Sequence, residues 1–291
     1  MAIWLTKDSK VVVQGLTGSQ GRFYGLRNRD YGTNIVAGVN PKKAGEDVEG
    51  IPIYATVRDA VEQAGADVSF VIVPARFAAD ATLEAAAAGV KLVITVTEHI
   101  PAHDQARMYN TLKHEYPDVR LIGPNCAGIL SPGQANVGFT PTEVAMAGPV
   151  GVVSRSGTLA YQALYELTAQ GIGQSTCVGI GGDPVPGTSF IDTLAAFEKD
   201  PETKAIVLIG EIGGTAEEEA AEFIADNVKK PVVAYIAGVT APPGKKMGHA
   251  GAIVTRGKGT AKAKMDALTA AGVKVAQNPT EIGGLVAESL A

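Results

Sequence analysis

The sequence predicts an α/β protein with two doubly wound, mostly parallel sheets in tandem. Short β-branched and apolar runs alternate with Ala-rich amphipathic stretches along most of the chain, which is typical of buried parallel strands and their crossover helices. The chain has 35 glycines and only 5% aromatic residues, a balance that suits many βα turns. Its 291 residues allow two domains with sizeable cores.

The first part of the chain predicts five strands with helices between them. The strand candidates are KVVVQGL (10–16), NIVAGVN (34–40), DVSFVIVP (67–74), KLVITVTE (91–98) and VRLIGPN (119–125). The helix candidates are 18–30, 56–65, 75–89 and 101–117. Thr56 followed by Asp59 has the pattern of a helix start. A Gly- and Pro-rich passage at 123–149 then predicts the domain boundary.

The alternation restarts after this passage and predicts a second α/β domain. Its strand candidates are PVGVVSRS (149–156), QSTCVGIG (174–181), AIVLIGEI (205–212), PVVAYIAG (231–238) and VKVAQN (273–278). Its helix candidates are 156–171, 188–199, 215–228, 259–272 and a last helix from Pro279. Thr215 with Glu218 has the pattern of a capping box. Right-handed crossovers bring ligand-binding loops to the carboxyl ends of the strands, so functional residues are expected there.

Charge and hydropathy indicate which kinds of partner and which cellular compartment to expect. The net charge is −5 with no basic stripe, which argues against nucleic acid as a partner. The N-terminus lacks a signal-peptide pattern, and no apolar run approaches the roughly 20 residues that cross a bilayer. We therefore expect a soluble, cytoplasmic protein, or a mitochondrial matrix protein if the chain is a processed form. Cys126 and Cys177 are expected to be reduced core residues.

The turn after the first strand candidate reads GLTGSQG (15–21), with a GxxGxxG spacing. It is neither the GxGxxG of a dinucleotide fingerprint nor a Walker A loop. Its N–H groups and the following helix N-terminus suit a pyrophosphate. The next strand ends in Asn40-Pro41-Lys42-Lys43, where an NAD-binding protein usually has an acidic residue; lysine suits a ribose phosphate instead. The pattern favours coenzyme A or NADP over the alternative of a ligand-free turn, and TVTE (95–98) adds polar groups at the same edge.

A second cluster of polar residues follows the first strand of the second domain. Its sequence SRSGT (154–158) runs directly into a helix, and a helix N-terminus with hydroxyl donors can bind an anion. No P-loop lysine accompanies it, so a single phosphoryl group is favoured over a nucleoside triphosphate. Ordinary helix capping by serine is the alternative.

An acid and a histidine follow the next strands of the same sheet. Glu211 in GEIGG (210–214) ends a strand and can hydrogen-bond an imidazole, although a solvated loop acid is the alternative. His249 lies in KKMGHAGAIV (245–254), in the loop after the following strand. It has neither the ligand spacing of a metal site nor a G-x-S-x-G elbow nearby. Its small neighbours suit a histidine that is itself covalently modified, and a loop histidine without function is the alternative.

Taken in order, these motifs closely resemble the α subunits of succinate–CoA ligase (succinyl-CoA synthetase). The matching segments are GLTGSQG, IGPNC, VSRSGTLAY, QSTCVGIGGDPVPG, IGEIGG, YIAGVTAPPGK and MGHAGAI. The resemblance implies a Rossmann-like CoA-binding domain over 1–125, followed by a flavodoxin-like ligase domain over 126–291. It implies reversible formation of succinyl-CoA from succinate, CoA and ATP or GTP, through phosphohistidine and succinyl phosphate. A β subunit with an ATP-grasp domain would bind the nucleotide and Mg²⁺, in an αβ or α2β2 assembly.

The resemblance also implies a role for each motif residue. His249 would be phosphorylated, Glu211 would orient it, and Tyr161 would be linked to the substrate. The implied CoA-binding residues are Thr17, Gly18, Ser19, Gln20, Lys43, Val96, Thr97 and Glu98. The implied phosphate-binding residues are Ser154, Ser156, Gly157 and Thr158. No metal site is expected on this chain itself.

Three other functions remain alternatives on the sequence alone. They are the α subunit of a related acid–CoA ligase such as malate–CoA ligase, a non-catalytic CoA-binding module, and an NADP-dependent oxidoreductase. Departures from the family pattern occur in RFYGLRNRDYG (22–32), at Ala127 and in TPTEVAMAGP (140–149). None of them touches the motifs of His249 or Glu211.

Overall fold

The computed structural model describes residues 2–242, 244–255 and 257–291. Within these ranges the chain forms two seven-stranded sheets. Consecutive strand residues face different core clusters: Val11 and Val13 pack into one cluster, while Val12 between them packs into another. Because a strand alternates its side chains between two faces, both faces of the sheet are covered, as the near-continuous apolar runs predict.

The first sheet has the strand order of a Rossmann fold. Its strands are β1 Lys10–Gln14, β2 Asn34–Val39, β3 Asp47–Val48, β4 Ile51–Tyr54, β5 Val68–Val71, β6 Leu92–Thr95 and β7 Arg120–Ile122. Its helices are α1 Ser19–Tyr31, α2 Val57–Ala64, α3 Ala75–Ala87 and α4 Ala102–Glu115. The order is β3-β4-β2-β1-β5-β6-β7, with β3 antiparallel to β4 at the edge. The chain reverses its direction of winding between β1 and β5, where such sheets bind ligands.

The second sheet has the strand order of a flavodoxin-like fold with an added hairpin. Its strands are β8 Gly128–Ser131, β9 Ala135–Gly138, β10 Ala147–Ser154, β11 Gln174–Gly179, β12 Ala205–Glu211, β13 Val232–Ala237 and β14 Lys274–Ala276. Its α-helices are α5 Gly157–Ala169, α6 Phe190–Lys199, α7 Ala216–Asn227, α8 Ala261–Ala270 and α9 Ile282–Leu290. Short 3-10 helices span Thr142–Val144 and Pro279–Glu281. The order is β14-β13-β12-β10-β11-β8-β9, with β8 and β9 antiparallel.

The ten strands that the sequence predicts are all confirmed, but the expectation of five strands in the first domain was incomplete. The described part of the first sheet also contains β3 and β4, and the passage at 123–149 is more than a linker. That passage contains the hairpin β8–β9, which extends the second sheet beside β11. These four strands have two to four residues each, too few to show an apolar run or an alternation of their own.

The two helix starts that the sequence predicts differ in outcome. At Thr56 the capping box is confirmed, because its side chain accepts the Asp59 N–H and the Asp59 side chain accepts the Thr56 N–H. At Thr215 the capping box is wrong. The Thr215 hydroxyl donates to Glu219 Oε1 at 2.7 Å, and the Glu218 carboxylate instead accepts a hydrogen bond from Lys264 at 2.9 Å. A distant cation therefore outcompetes the local cap.

The two sheets separate between β7 and β8, yet several hydrogen bonds join the halves of the chain. The Ile3 N–H donates to Thr176 Oγ1 at 3.1 Å, so the N-terminal segment binds to the second sheet. The Thr33 hydroxyl donates to the Asn136 carbonyl at 2.8 Å and accepts the Asn136 N–H at 2.9 Å, which ties the end of α1 to β9. One core cluster includes residues of both sheets, among them Phe70 and Ile206. The carboxyl edges of the two sheets are thereby held close to each other.

Candidate active site and coenzyme cleft

A cleft of about 1040 Å³ opens at the carboxyl ends of β1 and β5, where the winding of the first sheet reverses. The predicted cofactor residues that line it are Thr17 and Gly18 from the loop after β1, Ser19 and Gln20 from the start of α1, and Val96, Thr97 and Glu98 after β6. Lys43, the remaining predicted residue, is exposed and is not among the lining residues; its neighbour Lys42 is. The glycine loop and the segment after β6 thus lie at the same cleft, as the sequence predicts.

Glycines allow the loop after β1 to pass close to neighbouring backbone. Gly15 has φ +109, and a Cβ built there would lie 2.4 Å from the Ile72 carbonyl oxygen. A Cβ at Gly21 would lie 2.0 Å from the Gly15 carbonyl oxygen. Gly18 is the N-cap residue of α1 and has no side chain with which to cap it. The first N–H groups of α1 therefore remain available to an anionic ligand at this edge of the cleft.

The loop after β2 is joined to the glycine loop by one side chain. Asn40 Nδ2 donates to Thr17 Oγ1 at 2.7 Å, and Asn40 Oδ1 accepts the Lys42 N–H at 3.0 Å. This arrangement joins the Asn40-Pro41-Lys42-Lys43 turn to the glycine loop and places Lys42 in the lining of the cleft. The Thr97 hydroxyl is already engaged, since it donates to the Val73 carbonyl at 2.8 Å. The cleft therefore combines a cationic rim with a preformed polar edge.

In the second domain, His249 and Glu211 are in direct contact. His249 Nδ1 lies 2.7 Å from Glu211 Oε2. A carboxylate only accepts hydrogen bonds, so this contact assigns the proton to Nδ1 and leaves the lone pair on Nε2. The Glu211 side chain is 8% exposed, while that of His249 is 26% exposed. The imidazole is thus held from behind by a buried acid and remains accessible from the other side.

Three glycines make room for the histidine and its loop. A Cβ at Gly182 would lie 2.0 Å from His249 Cγ, so the imidazole occupies the space that any side chain at Gly182 would fill. A Cβ at Gly213 would lie 2.0 Å from the Gly251 carbonyl oxygen. The Gly251 N–H in turn points to the Gly182 carbonyl oxygen at 3.4 Å. The loop after β13 therefore packs closely against the turns after β11 and β12.

Arg155 is a central residue of this site that the sequence analysis missed. Its Nε lies 3.4 Å from Glu211 Oε1, its Nη1 lies 3.6 Å from Glu217 Oε1, and its side chain is only 10% exposed. Arg155 is the one charged residue of SRSGT, which could have indicated its role. The sequence analysis considered only the hydroxyl groups of that motif. The hydrogen bond that His249 donates to Glu211 raises the pKa of His249. Burial lowers this pKa, the charges of Glu211 and Asp183 raise it further, and the charge of Arg155 lowers it. The balance favours a protonated imidazole over a wider pH range than usual.

The hydroxyl groups of SRSGT bond locally and do not reach His249. Ser154 is fully buried, and its Oγ donates to the Ser156 carbonyl at 2.7 Å. Ser156 Oγ accepts the Leu159 N–H at 3.4 Å, so Ser156 is an N-cap, which was the alternative interpretation. Ser154, Ser156, Gly157 and Thr158 are absent from the residues that line the histidine pocket. Their assignment to phosphate binding stays a prediction.

Tyr161 and the two cysteines lie behind this helix start. A Cβ at Gly157 would lie 3.5 Å from the Tyr161 hydroxyl oxygen, and burial raises the pKa of Tyr161 to about 12. Burial likewise raises the pKa of the Cys126 and Cys177 thiols to about 12. Both cysteines are buried and form no disulfide, so they are core residues, as the sequence predicts. The role of Tyr161 toward a substrate stays a prediction.

The histidine pocket adjoins the large cleft of the first domain. It has a volume of about 430 Å³, and Glu98 lines both spaces. Asp183 also lines it, with its carboxylate held by Gln105 Nε2 and Asn125 Nδ2, each at 2.8 Å. Sequence reasoning missed Asp183, although it lies in the quoted motif QSTCVGIGGDPVPG. A molecule in the large cleft can therefore extend past Glu98 toward His249.

In 2–242, 244–255 and 257–291, no group of three or more His, Cys, Asp or Glu side chains is arranged to hold a metal ion. No helix in these ranges is long and apolar enough to span a membrane.

Family comparisons agree with this division of the site. Residues 6–99 match the model of the CoA binding domain, and residues 153–274 match the model of the CoA-ligase family. The first match contains the glycine loop and Glu98, and the second contains Glu211 and His249. The chain thus has the two modules of an acid–CoA ligase in the order that the fold shows.

Full-length relatives narrow the family further. The chain is 57% identical over 290 residues to the α subunit of an ADP-forming succinate–CoA ligase of Aquifex aeolicus, covering 100% of this chain and 95% of the relative. It is 56% identical to such a subunit, α 2, of Archaeoglobus fulgidus, with 100% of both chains covered. It is 54% identical to the Staphylococcus aureus α subunit, covering 99% of this chain and 95% of that one. The chain belongs to the family of succinate–CoA ligase α subunits.

A solved structure shows the same fold within a longer protein. The ATP citrate lyase of Methanosaeta concilii, in complex with (3S)-citryl-CoA, is 28% identical and superposes with a TM-score of 0.90 over 99% of this chain. This chain spans 50% of that lyase. The two-domain unit is therefore shared with an enzyme that carries further sequence in the same polypeptide.

Replacing Gly182 by alanine tests the fit of the imidazole. The new Cβ would lie 2.0 Å from His249 Cγ, so the ring must leave its position against Glu211. We expect Gly182→Ala to fold with a loss of about 1–3 kcal/mol, and the pKa of His249 to move back toward its ordinary value. Histidine NMR and urea unfolding measure both. Gly284→Ala is the matched control, because a Cβ there meets nothing within 4 Å; equal behaviour of the two variants would contradict the placement of the ring.

The pH dependence of stability tests the bond between His249 and Glu211. The pKa of His249 is raised above its ordinary value of 6.5 in the folded state. The bond therefore contributes stability that is fully present below the ordinary value and is lost as the pH rises through the folded pKa. We expect Glu211→Gln to destabilise the chain more at about pH 5.5 than at about pH 9, as measured by urea unfolding. In a His249→Asn background this difference should vanish, and its persistence would assign it to another group.

Proposed function

We propose that the chain is the α subunit of a succinate–CoA ligase that acts through phosphorylation of His249. The observation that carries this proposal is the contact between His249 and a buried glutamate at a point where the histidine pocket adjoins a coenzyme-sized cleft. A non-catalytic CoA-binding module would need the cleft alone. An NADP oxidoreductase would need no nucleophilic histidine beside it.

We assign the first step of the reaction to Nε2 of His249. With Nδ1–H donated to Glu211, the lone pair on Nε2 attacks the terminal phosphorus of a nucleoside triphosphate. The N–P bond forms, the bond to the departing nucleoside diphosphate breaks, and Glu211 stabilises the positive ring that results. The proposed phosphate-binding residues Ser154, Ser156, Gly157 and Thr158 would contribute the helix N-terminus of α5.

The next two steps move the acyl group to sulfur. A carboxylate oxygen of succinate attacks the phosphorus, so the O–P bond forms and the N–P bond breaks, giving succinyl phosphate and neutral histidine. The CoA sulfur then attacks the acyl carbon, forming the C–S bond as inorganic phosphate leaves. We assign acceptance of the thiol proton to Glu98, because it lines both clefts. Tyr161 is proposed as the residue linked to the substrate.

Coenzyme A fits the cleft of the first domain by charge and shape. The uncapped start of α1 suits its pyrophosphate, and the lysines of the turn after β2 suit its ribose phosphate. The proposed contacts are Thr17, Gly18, Ser19, Gln20, Lys43, Val96, Thr97 and Glu98, with Lys42 added because it lines the cleft. CoA supplies the thiol that accepts the acyl group.

A second subunit completes the proposed enzyme. The relatives named above are α subunits, so we propose a β subunit with an ATP-grasp domain that binds the nucleotide and Mg²⁺, in an αβ or α2β2 assembly. ADP-forming relatives favour ATP as the nucleotide. We propose domains at 1–125 and 126–291, and a cytoplasmic location like that expected for bacterial and archaeal relatives.

Phosphorylation of His249 is the decisive experiment. We expect the chain with its β partner, Mg²⁺ and ATP to acquire one acid-labile phosphate on His249, which disappears when succinate and CoA are added. His249→Asn should bind CoA normally and lose phosphorylation and turnover, whereas His103→Asn, a change at an exposed histidine, should retain both. Mass spectrometry locates the phosphate. Turnover by His249→Asn would remove the phosphohistidine from the mechanism.

The identity of the coenzyme has a separate test. We expect CoA to raise the melting temperature, because its binding stabilises the folded chain by a free energy that grows with the logarithm of concentration over Kd, about 2.7 kcal/mol at 100 times Kd. NADP should have no such effect. Dephospho-CoA should stabilise less, because it lacks the ribose phosphate. Lys42→Met combined with Lys43→Met should abolish this difference, and the single variants assign it to one lysine. A preference for NADP would contradict the proposed cleft function.

A further inference from the structure

Lys264 on α8 has a fully buried side chain that lies among three oxygen atoms. Its Nζ donates to Glu217 Oε2, to Glu218 Oε2 at 2.9 Å and to the Gly214 carbonyl at 3.2 Å. An ammonium group removed from water is costly unless charges and acceptors replace its hydration. Apolar side chains of similar volume often replace such a buried pair without loss of stability. A role beyond stability therefore accounts better for its presence.

Glu217 connects this buried cation to the strand that ends in Glu211. Its side chain is 0% exposed, and its Oε1 accepts the Glu211 N–H at 3.1 Å. A Cβ at Gly210 would lie 2.5 Å from Glu217 Cγ, so the glycine before Glu211 makes room for the second carboxylate. The buried glutamate thus supports the backbone of the residue that holds His249.

Arg155 lies between the two carboxylates and is shared by them. It is 3.4 Å from Glu211 Oε1 and 3.6 Å from Glu217 Oε1, and neither distance is that of a short charged hydrogen bond. Glu211 Oε1 is buried and accepts no hydrogen bond from the described residues. A change of charge at Glu217 must therefore change how close Arg155 lies to each carboxylate. The distance between Arg155 and Glu211 in turn sets how much negative charge Glu211 presents to His249.

We propose that Lys264 and Glu217 are positioning residues for the phosphohistidine reaction: by balancing each other's charge, they hold Arg155 between two carboxylates and leave Glu211 to orient His249. The inference rests on the proposed function, since it concerns the same histidine. Neither residue touches the reacting atoms. Both act through a row of alternating charges: Lys264, Glu217, Arg155, Glu211 and His249.

The two members of the pair have opposite effects on the charge around His249. Without Lys264, the charge of Glu217 is unbalanced, draws Arg155 away from Glu211 and favours the protonated imidazole. Without the charge of Glu217, Arg155 moves to Glu211 and the surroundings of His249 become more positive. The other charged or titratable groups facing the imidazole are the same in each case: Glu98, His99, Asp183 and Lys246.

A double-mutant cycle in the full chain tests the proposal. We expect Lys264→Met to raise the pKa of His249 and Glu217→Gln to lower it. The double variant should resemble Glu217→Gln, because Lys264 influences Arg155 only through the charge of Glu217. NMR titration of labelled histidine measures this without any ligand. Lys262→Met on the same helix is the matched control, because its side chain is 83% exposed in an ion pair with Asp266 and should leave the pKa in place.

Turnover with the β partner provides a second measurement. We expect each single variant to lower kcat about tenfold with KM for CoA unchanged. The double variant should remain slow although its charge is balanced, because Arg155 then faces Glu211 alone. If Lys264 and Glu217 had only a structural role, their variants would lower the stability of the chain without shifting the pKa of His249 in opposite directions. If Lys264→Met fails to fold, the pKa of His249 in Glu217→Gln tests the proposal. That variant is expected to fold, because Lys264 still donates hydrogen bonds to Glu218 and to the Gly214 carbonyl.

The outcomes separate this inference from the proposed function. A pKa of His249 that stays constant, or moves the same way in both single variants, overturns the inference even if His249 is phosphorylated. Opposite shifts in a chain that is never phosphorylated would support the charge network and reject the phosphohistidine mechanism instead.

Discussion

The hydrogen bond between His249 Nδ1 and Glu211 Oε2 is the interaction on which the rest of the site depends. It requires the loop after β13 to return to the end of β12, and the close approach of Gly213 to Gly251 permits this. It also requires space for the imidazole, which Gly182 provides. Because the acceptor is a carboxylate, the bond determines which ring nitrogen carries the proton and which can act as a nucleophile. The charges of Glu211, Arg155 and Asp183 all shift the pKa of the imidazole at this contact.

The second organising feature is the meeting of two sheet edges. Parallel sheets present their functional loops at the carboxyl ends of the strands, and here the two edges face a shared space that Glu98 lines from the first domain and His249 from the second. Hydrogen bonds such as those between Thr33 and Asn136 tie the halves together away from this space. A reactive acyl phosphate formed at the histidine pocket would therefore be close to the thiol of a coenzyme in the large cleft.

Much of the fold follows from periodicity, and the failures have physical causes. Apolar runs predicted ten of the strands, because a strand buried on both faces must be apolar at nearly every position. The hairpin β8–β9 escaped detection because it is short and lies in a Gly- and Pro-rich passage. The capping box at Thr215 failed because Glu218 bonds to Lys264, which lies 46 positions further along the chain. A glutamate caps a helix only when no stronger partner binds its carboxylate. The spacing of residues in the sequence does not show whether the fold provides such a partner.

The sequence by itself determined the α/β class, because buried parallel strands leave long apolar runs, and it predicted His249 and Glu211 as candidate site residues through the motifs that contain them. Only the tertiary structure decided that Arg155 and Asp183 belong to the same site, that Lys42 rather than Lys43 lines the cleft, and that the SRSGT hydroxyl groups bond among themselves. The buried pair of Lys264 and Glu217 is separated by 47 positions. Charges and hydrogen bonds act over a few ångströms, and the folded chain alone sets those distances.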